Sequence, residues 1–345
     1  MKILSIDGGG IRGIIPGQVL VALEEKLQQL SGNPAMRIAD AFDLIAGTST
    51  GGILTCLYLC PDQHTRTARF SAAEAVDLYL QHGDNIFDVS FFKAIESVDG
   101  VADAKYSATN LEKVLADYLG DLKLSELLKP CLITAYDLTR RDAKFFNSAD
   151  ITIKNLGPGW DYYVRDIARA TSAAPTYFPP ANISAFDRKV YPLIDGGVFA
   201  NNPAMCACVE AFDLDPTLEV NDLLVLSLGT GQASKPYHYS EAKSWGKIGW
   251  VGPVLDIMMS GVAETVDYQL QMMFKRADCS AQYLRLQVDL QQHENVDSAM
   301  DNASEDNMRA LESAGQSLAA TSDQQLEDFA KLLLGGPAEA LPPEI

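Results

Sequence analysis

A glycine-rich loop near the start of the chain joins a strand-like segment to a helix-like one. Residues 3–6 form a short apolar run, residues 7–13 read DGGGIRG, and apolar residues between 19 and 30 recur at helical spacing. Such a loop can direct consecutive backbone N–H groups at a negatively charged atom. Strand-like and helix-like segments go on alternating along the chain. We therefore predict a mixed α/β fold with an anion-binding loop at its start.

The glycine loop is compatible with two kinds of chemistry and with a plain tight turn. Gly8, Gly10 and Gly13 satisfy the G-x-G-x-x-G pattern of dinucleotide-binding proteins, which also requires an acidic residue about 20 positions later at a strand end. Glu24 and Glu25 occupy that region but fall inside the helical pattern, so dinucleotide binding is disfavoured. The alternative is an oxyanion hole, where glycine lets a substrate carbonyl approach the backbone.

A second glycine motif marks a candidate nucleophile. Residues 47–51 read GTSTG and lie between an apolar strand candidate at 42–46 and an apolar helix candidate at 53–59. In that context the G-x-S-x-G pattern forms a nucleophile elbow, and the small residues Gly47 and Gly51 permit its strained turn. We predict that Ser49 is the nucleophile. A chance match or a helix N-cap would give the same five letters.

The base that would activate Ser49 is less evident. The histidines lie in unconstrained positions, at 64, 82, 238 and 293. A Ser-His-Asp triad therefore stays open but unsupported. Asp195 follows an apolar strand candidate at 190–194 and precedes two glycines, so its carboxylate would stand at a strand end and could take the serine proton directly. A turn-initiating aspartate explains the same segment equally well.

The sequence predicts a single domain. Its 345 residues contain no internal repeat and no linker rich in Pro, Gly or Ser, so we predict a domain at 1–334 and a flexible tail at 335–345. Further strand candidates lie at 132–136, 144–146, 223–228 and 283–288. Helical patterns lie near 71–81, 107–119, 203–212, 253–274 and 303–332.

Composition and charge exclude some classes of protein. The net charge is −19, with 27 basic and 46 acidic residues and no basic stripe, so nucleic acid is not an expected partner. The six cysteines lack paired spacing and are predicted to be reduced thiols. The first apolar run is too short for a signal peptide, and polar residues interrupt the uncharged run at 44–61. We expect a soluble cytoplasmic protein.

Five motifs together carry a resemblance to a known family. They are DGGGIRG at 7–13, GTSTGG at 47–52, SAAPTYFPP at 172–180, DGG at 195–197 and LSLGTG at 226–231. In this order and spacing they resemble the patatin-like phospholipase family, close to the plant patatins, over residues 1–290. The resemblance implies a three-layer α/β/α fold with a mostly parallel central sheet. Residues 291–334 are expected to add an acidic helical segment.

The resemblance also implies a catalytic centre. Ser49 and Asp195 would form a Ser-Asp dyad, which explains the lack of a suitable histidine. The oxyanion hole would be shaped by Gly8, Gly9, Gly10 and Arg12. The family hydrolyses acyl esters of phospholipids, lysophospholipids and related glycerolipids, such as galactolipids, without a metal. A glycerolipid substrate is therefore expected, and no cofactor.

A segment rich in tryptophan and methionine is a candidate lipid contact. Trp245 and Trp250 precede the helical pattern at 253–274, and Met258 and Met259 lie within it. Tryptophan suits a lipid interface and methionine an adaptable acyl pocket, so transient contact with a membrane surface is expected. The competing and preferred interpretation is core packing of an amphipathic helix.

The end of the chain is strongly acidic. Residues 289–345 hold 12 acidic and 2 basic residues, which we interpret as a solvated face. Attraction to anionic membranes is therefore disfavoured, and lipid should be captured through apolar contacts.

Other functions fit the same motifs less well. The main alternative is a phospholipase effector of bacterial antiphage defence activated by cyclic nucleotides, although no separate sensor domain is visible. A storage or binding protein with a vestigial site is a further alternative. The sequence leaves head-group preference and oligomeric state open.

Overall fold

The central element of the protein is one sheet. A computed structural model describes residues 1–86, 107–232 and 236–336, and within them eight strands pair into this sheet. The strands are β1 (Lys2–Ile6), β2 (Leu44–Thr48), β3 (Cys131–Asp137), β4 (Asp142–Asn147), β5 (Ala181–Ser184), β6 (Val190–Asp195), β7 (Leu224–Leu228) and β8 (Tyr283–Leu286).

The helices described alternate with these strands. They are α1 (Ile14–Ser31), α2 (Ile38–Ala41), α3 (Thr50–Tyr58), α4 (Ala72–Ile86), α5 (Thr109–Leu119), α6 (Ala149–Thr152), α7 (Val164–Thr171), α8 (Gly197–Ala200), α9 (Ala204–Leu214), α10 (Tyr239–Ala242), α11 (Lys247–Arg276), α12 (Glu305–Thr321) and α13 (Asp323–Leu333). Among the helices in the described ranges, none is both long enough and apolar enough to span a bilayer.

The sheet is mostly parallel, as predicted. Its order is β5-β6-β3-β2-β1-β7-β8, with β4 also paired to β3. The central pairs β3-β2, β2-β1, β1-β7 and β7-β8 are parallel, and the pairs that involve β4, β5 or β6 are antiparallel. Strands in the middle of such a sheet are covered on both faces, so β2 and β7 are buried along their whole length.

Helices cover both faces of the sheet, which confirms the predicted three layers. Successive side chains of a strand point to opposite faces. Accordingly Leu4 and Ile6 belong to a core with α1, α3 and α4, whereas Ile3 belongs to a second core with α9 and α11. The ends of β1 and β2 thus lie in the part of the sheet that is covered on both faces, and β6 ends at the buried Asp195.

Several predicted boundaries are corrected by the structure. β2 lies two residues later than the predicted 42–46, and α3 starts at Thr50 because the helix follows Ser49 directly. α11 starts at Lys247 and contains Pro253, so it begins well before the predicted residue 253. The pattern at 303–332 is two helices that meet at Ser322. The short, charged helix α7 and the four-residue strand β5 escaped the sequence prediction.

The C-terminal segment is not only a solvated face. α12 and α13 pack on α1, and they bury Met308, Leu311, Leu326 and Phe329 in the same core as the first half of the chain. The acidic residues occupy the outer faces of these amphipathic helices. Gly335 and Gly336 close the end of α13 through backbone bonds, and the rest of the predicted tail, 337–345, lies outside the described residues.

Candidate active site

Ser49 sits on a strained turn between β2 and α3. Its backbone has φ 54° and ψ −121°, a conformation that non-glycine residues rarely adopt. Its carbonyl accepts the helical bond from Ile53 (3.0 Å), so Ser49 stands at the N-terminus of α3. A strand that turns sharply into a helix is the backbone geometry a nucleophile elbow requires, and the positive end of the α3 dipole lies at Ser49.

The two motif glycines are required by close backbone contacts. A Cβ on Gly51 would lie 2.1 Å from the carbonyl oxygen of Ile6, at the end of β1. A Cβ on Gly47 would lie 2.2 Å from the carbonyl oxygen of Gly51. Any side chain at either position would therefore force β1, β2 and α3 apart.

Asp195 ends β6 and faces Ser49. The pairing of β6 with β3 places it opposite Ala135, and its own N–H donates to the carbonyl of Ala173 (3.0 Å). Its carboxylate accepts a hydrogen bond from the Gly197 N–H (2.7 Å), and the neighbouring Ser49 hydroxyl also acts to lower its pKa. The residue is only 3% exposed, and this burial raises the pKa of Asp195 to about 7. A carboxylate of this pKa can accept a proton from a neighbouring hydroxyl.

The glycine loop presents two free amides to the same space. The N–H of Gly8 donates to the carbonyl of Asn201 (3.0 Å), so it is engaged within the fold. Within the described residues, the N–H groups of Gly9 and Gly10 have no acceptor, and both residues line the pocket that contains Ser49. Gly9 and Gly10 are therefore the two loop amides available to a ligand.

Arg12 lies behind the loop and not in the Ser49 pocket. It is 9% exposed, and its Nε donates to the carbonyl of Gly9 (3.3 Å). Burial lowers the pKa of Arg12. Its side chain lines a neighbouring polar recess, so its contact with the lining of the Ser49 pocket is through the Gly9 carbonyl.

The pocket around Ser49 and Asp195 is strongly apolar. Counted with its open mouth, it has a volume of about 940 Å³. Its apolar walls include Ile53, Leu78, Ile86, Leu111, Phe178, Leu255, Met258, Met259 and Met300. None of the four histidines lies among the described residues of this lining.

The structure separates the four candidate lipid contacts into two pairs. Met258 and Met259 line the Ser49 pocket, and Met258 is also 43% exposed. Trp245 and Trp250 lie outside the pocket lining and pack edge to face, with ring centroids 5.0 Å apart. Trp250 is 42% exposed. The preferred expectation of core packing thus holds only for the C-terminal part of α11, where Leu270 and Phe274 are buried.

Three residues that position the site were missed by sequence reasoning. Thr171 Oγ1 accepts the N–H of Ser49 (2.8 Å), and Met300 accepts the N–H of Ile11 (2.9 Å). Arg285 forms a buried ion pair with Asp7, the first residue of the glycine loop. Of these three residues, only Thr171 could have been found from the sequence, because it directly precedes the SAAPTYFPP motif.

Comparison with known proteins identifies the class. The model of the patatin-like phospholipase family matches residues 4–207 of this chain. The chain belongs to that family, as the motifs predicted, and membership supports a lipid acyl hydrolase activity.

Curated relatives match most of the chain. It is 34% identical to Patatin-like protein 2 of Oryza sativa subsp. indica over 345 residues, which cover 92% of this chain and 83% of the relative. It is 38% identical to Patatin-like protein 2 of Arabidopsis thaliana over 317 residues, 84% of this chain and 76% of the relative. It is also 34% identical to Probable inactive patatin-3-Kuras 1 of Solanum tuberosum over 359 residues, which cover 96% of this chain and 92% of the relative. Since one relative is named inactive, the chemistry of this chain rests on its own site.

Proposed function

We infer that this protein cleaves fatty-acyl esters of glycerolipids, as a phospholipase A or lysophospholipase, with Ser49 and Asp195 as a catalytic dyad. One observation carries the proposal. A buried carboxylate with a pKa of about 7 lines the same pocket as a serine held on a strained elbow. A general base works best when its pKa lies near the working pH.

The proposed reaction proceeds through an acyl-enzyme. Ser49 Oγ attacks the ester carbonyl while Asp195 takes the hydroxyl proton. The N–H groups of Gly9 and Gly10 stabilise the oxyanion of the tetrahedral intermediate. Asp195 then returns the proton to the leaving glycerol oxygen, which leaves an acyl ester on Ser49. Water attacks this ester while Asp195 takes its proton, and Asp195 then returns that proton to Ser49 Oγ as the acyl–oxygen bond breaks and the fatty acid is released.

The apolar pocket supports an acyl chain as the group bound. Its lining offers methionine side chains, which adapt to flexible chains, and few polar groups that would select a smaller acyl donor. Because Met258 is both exposed and part of the lining, we place the chain entrance there. The net charge of −19 disfavours docking on anionic membranes, so transient membrane contact would be apolar.

Fatty acid release from a defined phospholipid tests the proposal. Ser49→Ala should lower the rate by at least about 10³-fold, because the nucleophile is removed. Ser31→Ala, at an exposed serine on the last turn of α1, is the matched control and should keep full activity. A folded Ser49→Ala protein with wild-type activity would refute the mechanism. Activity without added nucleotide would make the cyclic-nucleotide hypothesis unnecessary.

A further inference from the structure

Strand β4 forms an open edge of the central sheet. It pairs with β3 on one side, and among the described strands none pairs with its other side. Five of its six residues line a groove beside this edge, and the groove has a volume of about 1470 Å³ counted with its open side. No residue described in this lining also lines the Ser49 pocket, so the proposed reaction does not use the groove.

The ladder between β3 and β4 determines which backbone groups face the groove. The N–H of Ser148 donates to the carbonyl of Cys131 (3.3 Å), so these two residues form a hydrogen-bonded pair. Such pairs alternate along an antiparallel ladder, and the backbone of Lys144 therefore also faces β3. The N–H and C=O groups of Ala143 and Phe145 point the other way, into the groove. Within the residues described, no hydrogen bond engages them.

Two opposite charges flank Ala143 on this edge. Asp142 and Lys144 project from the same face of the sheet, because successive side chains of a strand alternate. Asp142 is exposed, and the Lys144 ammonium lies between 5.0 and 5.5 Å from the centroids of four aromatic rings. In the described part of the chain, neither residue forms an ion pair. Both charges are therefore available to a partner.

These charges are self-complementary about Ala143. When a second copy of β4 runs antiparallel with Ala143 opposite Ala143, the two central residues exchange both of their outward hydrogen bonds. In that register Asp142 of each copy stands opposite Lys144 of the other copy. These are non-hydrogen-bonded positions, where cross-strand side chains come closest. A two-fold axis at Ala143 thus satisfies the free backbone groups and both charges at once.

We propose that this protein forms a two-fold symmetric dimer in which the β4 edges pair and join two sheets into one. A second copy is the occupant because β4 carries both charges of the pair in the order that an antiparallel copy requires. The shared ladder is short, since Arg141 has φ 56° and departs from the strand conformation. Trp160 and Val209, which border the groove and are exposed, add apolar contact beside it.

A lysine on an edge strand can also have the opposite use. Charged side chains, and lysine in particular, often keep the edges of sheets from pairing. Replacing Lys144 by a neutral residue would then strengthen self-association, whereas it weakens the dimer described above. Sedimentation equilibrium of Lys144→Gln decides between the two, and a stronger dimer than that of the wild type would overturn the proposal.

Exchange of the charges tests the register. In Asp142→Lys and in Lys144→Asp, both cross-strand pairs of the homodimer have like charges, so each variant should dimerise at least about tenfold more weakly than the wild type. An equimolar mixture of the two should dimerise with nearly wild-type affinity, because every pair in the heterodimer is again opposite in charge. A misfolded variant cannot produce this recovery. A mixture that dimerises no better than its components would overturn the register.

Ala143→Pro tests the backbone part of the interface. The N–H of Ala143 faces the groove, so proline removes both central hydrogen bonds of the dimer and none to β3. Ala143→Val keeps the N–H and is the matched control. We expect the proline variant to sediment as a monomer and the valine variant to dimerise as the wild type does. Equal dimerisation of the two variants would place the interface elsewhere and overturn the proposal.

The oligomeric state and the proposed function are tested separately. None of the substituted residues lines the Ser49 pocket, so each variant should release fatty acid at the wild-type rate. A wild type that sediments as a monomer at every concentration would overturn the dimer and leave the proposed function untouched. A wild type that hydrolyses no lipid would refute the proposed function, while sedimentation would still decide whether the β4 edges pair.

Discussion

Replacing Asp195 by Asn separates the cost of burying this carboxylate from its use in catalysis. Asn is nearly isosteric and still accepts the N–H of Gly197, but it neither titrates nor acts as a base. We therefore expect Asp195→Asn to be inactive and, at alkaline pH, more stable than the wild type. Such a gain in stability at the expense of activity is typical of a functional site.

The magnitude follows from the raised pKa of Asp195. Burial raises this pKa from its ordinary value of 3.8 to about 7. At high pH, the ionised Asp195 therefore lowers the free energy of unfolding by at most about 4 kcal/mol. The folded state binds the proton more tightly than the unfolded state. Wild-type stability is therefore lost as the pH rises between these two values, while the Asn variant does not titrate. Between pH 5 and pH 8.5 the advantage of Asp195→Asn should grow by about 2.5 kcal/mol.

Urea denaturation at a series of pH values measures this difference. Asp117→Asn, the same substitution at an exposed carboxylate outside the Ser49 pocket, is the control. In parallel, kcat/KM of the wild type for a soluble ester should rise with pH through about 7, as the base ionises. A stability difference that is independent of pH, or a wild type that is the more stable protein at pH 8.5, would refute the reasoning.

Two further perturbations test the elbow and the pair of tryptophans at 245 and 250. Gly51→Ala should lower the unfolding temperature strongly, because its Cβ meets Ile6 at 2.1 Å, whereas Gly252→Ala, with nothing within 4 Å, should be neutral or stabilising. Equal unfolding temperatures would contradict the close approach. Joint replacement of Trp245 and Trp250 by Ala should weaken sedimentation with phosphatidylcholine vesicles, and Trp160→Ala, at an equally exposed ring, should not. Unchanged sedimentation would leave these rings without a lipid role.

The residues proposed for the chemistry were predictable because each belongs to a short segment that determines its own geometry. Ser49 and Asp195 stand at strand ends flanked by glycines, where the local sequence limits the backbone to few conformations. The sequence of the glycine loop likewise limits its own backbone conformation. Its finer geometry was not predictable, since the engagement of the Gly8 amide depends on Asn201, far away in the chain.

The residues that support the site could not be predicted, for a different reason. Thr171, Arg285 and Met300 reach the site only after α7, β8 and the segment before α12 have packed, so no local sequence pattern indicates them. α7 escaped prediction because three of its eight residues are charged, and one of these, Arg169, is buried through tertiary contacts. Sequence periodicity reports the local surroundings of a residue and not such distant partners.

The C-terminal helices provide a test of whether residues 1–334 form one unit. Removing residues 291–345 would expose the face of α1 that packs on α12, and it would free the Ile11 amide from Met300. Each large buried side chain contributes about 1.5–3 kcal/mol, and α12 and α13 supply several of them. We expect fragment 1–290, although it contains every recognised motif, to lack cooperative unfolding and fatty acid release.

Point variants keep this prediction testable when the fragment aggregates. Leu311→Ala, at a fully buried position of α12, should lower the free energy of unfolding by about 2–5 kcal/mol. Leu334→Ala, at a leucine that is 38% exposed, should change it by only about 0.5 kcal/mol. If fragment 1–290 unfolds cooperatively and hydrolyses lipid, or if the two leucine variants are equally stable, the acidic segment is an appendage. The opposite results make α12 and α13 part of the core that holds the glycine loop in place.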